Sequence, residues 1–172
     1  MEWRPFVQDN LRRQALRHAV DPERLIFSRP MPLPEFLAAN PLADLFLDTL
    51  PYNAHTTAND ALWAGLPVLT CVGTTFAGRV AGSMLRAIGL PELVTWSLDE
   101  YEETALRLAR APHVLRELRA RLTHNRSTMP LFDMARYTRD LEAAYKTMWQ
   151  AWCRGEEASP FAVSGSDNPG PL

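Results

Sequence analysis

The sequence predicts an α/β chain: a parallel sheet with helices on both faces, followed by C-terminal helices. Three observations carry that expectation. "LFL" at 45–47 and "PVLT" at 67–70 are short and almost wholly apolar, as strands buried on both faces are. The gaps between such runs carry helical periodicity rather than hairpin turns. The 172 residues, 47% hydrophobic and 22% charged, have the size and composition of one globular domain able to bury such a sheet.

The elements follow in order. Residues 6–19 predict a helix, with Phe6, Leu11, Ala15 and Leu16 on a rough stripe. Asp21-Pro22 makes a turn, and 25–27 predicts a short strand. Prolines 30 and 32 hold an extended loop, and Pro34 suits the first turn of a short helix. "ADLFLDTLP" predicts a strand at about 44–48, and 57–64 a short helix that ends at Gly65-Leu66-Pro67. A strand at 67–70, a helix at 77–88 and a short strand in "ELVT" come next. The helix at 98–109 opens on Ser97 and Glu100, the spacing of a reciprocal cap. Two more helices are predicted at 112–126 and 134–152, the second with Tyr145, Met148, Trp149 and Trp152 as core residues. From Arg154 the sequence turns to Gly, Ser, Pro and acid, the composition of a disordered tail. The expected divisions are therefore an N-terminal helix at 1–19, a sheet domain with its C-terminal helices at 20–152, and a tail at 153–172.

Charge and cysteines narrow the function. A net charge of −2 offers no broad basic surface for nucleic acid. The basic residues of 116–126 alternate with apolar ones and read as a solvated helix face. His18, His113 and His124 lie in helical patterns and read as surface residues. Cys71 and Cys153 have neither metal-ligand nor disulfide-framework spacing, which fits a reducing cytoplasm. No apolar run approaches the ~18 residues of a membrane span.

The informative stretch is "NAHTTANDALWAGLPVL", 53–69. In open parallel sheets, ligands bind beyond the carboxyl ends of the strands. Here one such loop gathers His55, Thr56, Thr57 and Asp60 at a helix start, where unpaired amides and a partial positive charge favour an anion. The next loop, "GTTFAGR", adds Thr74, Thr75 and Arg79. A diphosphate suits the space between them, with Asn53 as a further contact. Two plainer readings stand beside this one. Thr57 and Asp60 also match a capping box, and His55 also suits a turn. "GTTFAGRV" is no triphosphatase loop, because Arg79 and Val80 stand where Lys and Ser/Thr are needed.

Three blocks in order, "LADLFLDTLPYNAHTTANDALWAGLPVLT", "TFAGRVAGSMLRAIGLPELV" and "PLFDMARYTRDLEAAYKTMW", resemble the carboxyl-terminal part of the protein O-linked N-acetylglucosamine transferases, especially the bacterial SPINDLY-like members. The resemblance covers about 20–152. It implies the donor-binding, Rossmann-like half of a two-domain GT-B glycosyltransferase. It also implies UDP-N-acetylglucosamine as donor, protein serine or threonine hydroxyls as acceptors, inverting transfer and no metal. By the same resemblance His55, Thr56 and Thr57 hold the diphosphate and Asp60 the ribose. In many relatives the segment after "LIFS" carries a histidine and basic residues near the uracil; here Leu33, Phe36 and Ala39 stand there. The resemblance names no general base in this chain. It further implies an upstream GT-B half and helical repeats as the parts that meet the protein acceptor, so the isolated chain is expected to be inactive. A binding module that retains the sugar nucleotide without transfer, and a purely interacting remnant, are the alternatives.

Overall fold

The computed structural model describes residues 4–163. They fall into two units, the first ending at Glu35 and the second beginning at Phe36.

The first unit holds helix α1, Arg4–Arg17. It closes through Ala19, whose φ of 55° lets Val20 N–H reach the Ala15 carbonyl. A 3-10 turn, Pro22–Arg24, follows, capped by Asp21, which accepts from Glu23 N–H at 3.0 Å. The Arg12 guanidinium lies over the Phe27 ring at 5.2 Å. The strand expected at 25–27 is not formed. Leu25 is extended (φ −86°, ψ 103°), but among the described residues no neighbouring strand pairs with it, and Ile26 is 93% exposed. Apolar, β-branched residues set the backbone; a ladder needs a partner. Helix α2, Leu33–Ala39, starts one residue before Pro34.

The second unit carries the predicted sheet. Strands β1 (Phe46–Leu47), β2 (Val68–Cys71) and β3 (Val94–Thr95) lie in the order β1-β2-β3, all parallel. Phe46 and Leu47 sit opposite Val68 and Leu69, while Thr70 and Cys71 sit opposite Val94 and Thr95. All four residues of β2 are buried, so both faces of the central strand are covered. Helix α3 (Thr56–Trp63) joins β1 to β2, and helix α4 (Val80–Ala87) joins β2 to β3. The first ends at Gly65 and the second at Gly89, both with positive φ. At each, the residue after the glycine returns its N–H into the helix: Leu66 to Ala61 O at 2.8 Å, and Leu90 to Leu85 O at 2.8 Å. Only a residue tolerant of the left-handed region closes a helix this way at little cost.

Helices α5 (Leu98–Arg110) and α6 (Pro112–Asn125) complete the core with Leu108, Leu115, Leu118 and Leu122, packed in one cluster with Leu62, Leu69 and Leu85. Each such leucine contributes roughly 1.5–3 kcal/mol by leaving water. Helix α7, Met134–Cys153, was expected to bury its aromatic end. Instead it has no buried residue, and Tyr145, Met148, Trp149 and Trp152 are 60%, 52%, 63% and 70% exposed. Its apolar spacing is genuine, but helical period reports a face and not what covers it. Residues 154–160 are exposed and outside any helix or strand. The rest of the expected tail, 164–172, lies outside the described residues. Among those described, no helix is long and apolar enough to cross a membrane.

Candidate functional site

β1 and β2 each run out into a loop at the carboxyl edge of the sheet, and the two loops are stitched together. The Asn53 N–H donates to the Ala77 carbonyl at 3.1 Å. The Asn53 side-chain amide donates to Thr49 O at 2.9 Å and to Cys71 O at 3.4 Å. Gly73 N–H donates to Gly78 O at 2.7 Å, which closes the second loop on itself. Gly78 is where they meet most closely: a Cβ there would lie 3.1 Å from Gly73 Cα and 3.3 Å from the Pro51 carbonyl. A Cβ there would press on backbone atoms, so the neighbouring loop would have to give by a few tenths of an ångström.

The structure brings His55 to this junction. Its ring stacks on Tyr52 (centroids 4.9 Å apart, planes at 18°) and meets Phe76 edge-on at 6.1 Å. Its Nε2 lies 3.3 Å from the Ala77 carbonyl. A carbonyl can only accept, so this contact places a proton on Nε2. The ring is thus fixed by one stacked neighbour, one edge-on neighbour and a contact at its tip.

His55 is also the residue that caps α3, and it makes no side-chain cap bond. The helix starts at Thr56, one residue earlier than the sequence predicts. That shift moves Thr57 to the second position inside the helix, and it is not the N-cap. The capping-box reading of Thr57 and Asp60 is therefore overturned. Among the described residues, the amides of Thr56, Thr57 and Ala58 have no acceptor; the first amide of the helix with a partner is Asn59, bonded to His55 O at 3.0 Å. Thr56 and Thr57 are exposed and Asp60 is half-buried. Thr56 and Asp60, four apart, share one face of the helix. Thr74 and Arg79 are exposed in the second loop. Among the described residues, no hydrogen bond or ion pair occupies the side chains of Thr56, Thr57, Asp60, Thr74 or Arg79.

Two expected contacts have other work. Asn53 is fully buried and spends its side-chain N–H groups on the loops. Its remaining atom, Oδ1, lacks a partner and is an acceptor, the wrong polarity for a phosphate oxygen. Thr75 Oγ1 accepts from Gly78 N–H at 3.1 Å and so shapes its own turn. A groove of about 400 Å³ along α4, lined by Phe76, Arg79, Met84 and Leu131 among others, begins beside this site and contains none of His55, Thr56 or Thr57.

The sequence reading missed the residues beneath the site. Asp48, 6% exposed, accepts from Thr49 N–H at 2.8 Å and Ala54 N–H at 2.7 Å through Oδ1, and from Thr70 Oγ1–H at 2.6 Å through Oδ2. Tyr101 Oη–H donates to the Asp48 carbonyl at 2.9 Å. Burial, then the charge of Asp48 and the nearby Cys71, push the Tyr101 phenol up to about 12. The available signal was an acid closing a run of apolar strand residues. Read linearly, it marked only the strand's end. Among the described residues, no group of three or more His, Cys, Asp or Glu is placed to hold a metal ion.

The chain as a whole is similar to known proteins. The profile of glycosyl transferase family 41 matches residues 5–141. The chain is 40% identical over 157 residues to a probable UDP-N-acetylglucosamine–peptide N-acetylglucosaminyltransferase, SEC, of Arabidopsis thaliana, covering 91% of this chain and 16% of that protein. A UDP-N-acetylglucosamine–peptide N-acetylglucosaminyltransferase of Caenorhabditis elegans is 36% identical over 148 residues, covering 86% of this chain and 13% of that protein. The solved structure of a lysine-to-methionine mutant of Thermobaculum terrenum O-GlcNAc transferase superposes with a TM-score of 0.83 at 39% identity, covering 88% of this chain and 29% of that one. The chain thus spans about a sixth of the length of the plant relative.

Proposed function

This chain belongs to glycosyl transferase family 41, and we propose that it is the donor-binding part of a protein O-GlcNAc transferase, holding UDP-N-acetylglucosamine by its diphosphate at the start of α3. The observation that carries this reading is the open helix start: the amides of Thr56 and Thr57 have no acceptors and sit on two exposed residues whose hydroxyls are also free, while Ala58, next in line, is buried. Donors fixed in this way suit phosphate oxygens, and the helix dipole adds ~0.3–1 kcal/mol for an anion at the first turn. Asp60, on the same face as Thr56, is assigned to the ribose hydroxyls, and Arg79 to the outer side of the diphosphate.

In the proposed reaction an acceptor hydroxyl oxygen attacks the anomeric carbon of the sugar. The bond from that carbon to the diphosphate breaks, and UDP leaves with the electron pair. The hydroxyl proton passes to a general base, a role to which no residue of this chain is assigned. The work of these residues is to stabilise charge as it builds on the leaving diphosphate, where one fixed donor in a closed site is worth ~3 kcal/mol. Acceptor recognition is assigned to parts of a longer protein, and the setting to the cytoplasm. The isolated chain is therefore expected to release no UDP above donor hydrolysis when given a mixed peptide pool.

Calorimetry with UDP, UMP and uridine tests the reading. UDP is expected to bind more tightly than uridine, and His55→Ala to weaken UDP several-fold. Equal affinity for uridine and UDP would show that α3 does not hold the diphosphate.

A further inference from the structure

We infer that Asp48 is the positioning residue of the diphosphate loop. It touches no ligand itself; it sets the place from which His55, Thr56 and Thr57 act. The inference rests on the reading of the α3 start as the diphosphate site.

The chain leaves β1 at Leu47, and Asp48 N–H still belongs to the sheet, donating to Leu69 O at 3.0 Å. From there the loop runs over six residues and returns, because Oδ1 of Asp48 takes the Ala54 amide at 2.7 Å while also holding Thr49 N–H at 2.8 Å. Ala54 is the residue immediately before the cap of α3. The carboxylate therefore closes a ring whose last link is covalently joined to His55. The ring is anchored underneath by Thr70, a fully buried residue of the central strand, through Oδ2 at 2.6 Å. A second tie, Tyr101 Oη–H to Asp48 O at 2.9 Å, brings in α5.

The side chain's donors are two backbone amides and a hydroxyl, all neutral. A carboxylate accepts at both oxygens and serves all three at once. Its charge has the same sign as the proposed ligand, so it does not aid binding by attraction. If it acted through charge, removing the charge would tighten UDP. If it acts through geometry, removing the carboxylate weakens UDP. Asp48→Asn is close in shape, keeps one oxygen for the amides and turns a donor toward Thr70, so the two roles give opposite signs.

The experiment measures UDP and uridine affinity by calorimetry and backbone amide exchange by NMR, in the wild-type chain, Asp48→Asn and Thr70→Val. Asp48→Asn is expected to weaken UDP about tenfold, the scale of losing one charge-assisted hydrogen bond, and uridine much less. The hydrogen-bonded amides of Thr49, Asn53 and Ala54 should exchange faster while those of α6 stay unchanged. Thr70→Val, which removes only the lower anchor, should shift both readouts the same way by a smaller factor, and it decides the matter if Asp48→Asn does not fold. Wild-type exchange at Thr49 and Ala54 in the variants, or UDP binding that is unchanged or tighter, overturns the inference. A wild-type chain that binds no UDP defeats the site reading instead; the exchange arm then still shows whether Asp48 holds the loop.

Discussion

The starts of α3 and α5 carry the same local signature and do opposite things. Thr57 with Asp60, and Ser97 with Glu100, both place an acid three residues after a hydroxyl. At α5 the signature becomes a cap. Ser97 is extended (φ −142°, ψ 160°), its Oγ accepts from Glu100 N–H at 3.1 Å, and the Glu100 carboxylate reaches back to Trp96 N–H at 2.8 Å, one residue beyond the usual partner. At α3 the helix begins a residue too early for Thr57 to cap it, and the opening amides are left unpaired. The loop before α3 is fixed by Asp48 and Ala77, not by its own local preferences. The start of α5 caps its third amide with Ser97 and carries two acids in its first turn, whereas α3 has neither a side-chain cap nor an acid there. A helix start held open by its surroundings has donors to offer.

The largest expected effect breaks the junction that holds α3 open. Gly78→Val forces a side chain against Gly73 Cα and the Pro51 carbonyl. It should cost ~1–3 kcal/mol in a urea titration, the usual range for overpacking, and should abolish measurable UDP binding in the protein that remains folded. Normal UDP affinity in that variant would mean that the loops do not need each other.

The next pair sharpens the contrast. Ser97→Ala should lower stability by ~1 kcal/mol through loss of a working cap and leave UDP affinity unchanged. Thr57→Ala should stay within ~0.5 kcal/mol of wild-type stability, as exposed sites do, and weaken UDP by ~1 kcal/mol for one lost hydrogen bond. If the two variants behave alike in both assays, the distinction between the helix starts fails.

The smallest effect concerns Tyr101, which ties α5 to the α3 loop through Asp48. Its phenol is raised from 10.0 to about 12, so the folded state holds this proton more tightly than the unfolded chain. Its contribution is complete below pH 10 and is lost as pH rises from 10 through about 12. Melting temperature should therefore fall across that window, and Tyr101→Phe should flatten the fall. An identical slope in the variant would remove Tyr101 as its source.

Much of this molecule was legible in the sequence. The buried strand at 68–71, the helix stops at Gly65 and Gly89, and the cap at Ser97 are all local, so local chemistry reports them. The pairing of the two loops was legible only as an expectation from strand topology. What escaped is non-local. Leu25 and Ile26 look like a strand because β propensity is read one residue at a time, while a ladder needs a neighbour. Trp149 and Trp152 look like core because a stripe names its face but not its cover. Thr57 looks like a cap because its spacing to Asp60 is local, while the contact that fixes the loop before α3, Ala54 to Asp48, spans six residues.

In the proposed function α3 opens on an anion site and α5 does not. Backbone NMR of the chain titrated with UDP tests it in one measurement, since both helix starts report in the same spectrum. The amides of Thr56 and Thr57 should move downfield and saturate together, while those of Leu98, Asp99 and Glu100 stay in place. UDP-dependent shifts that leave 56 and 57 untouched, or that appear equally at 98–100, would contradict the proposal.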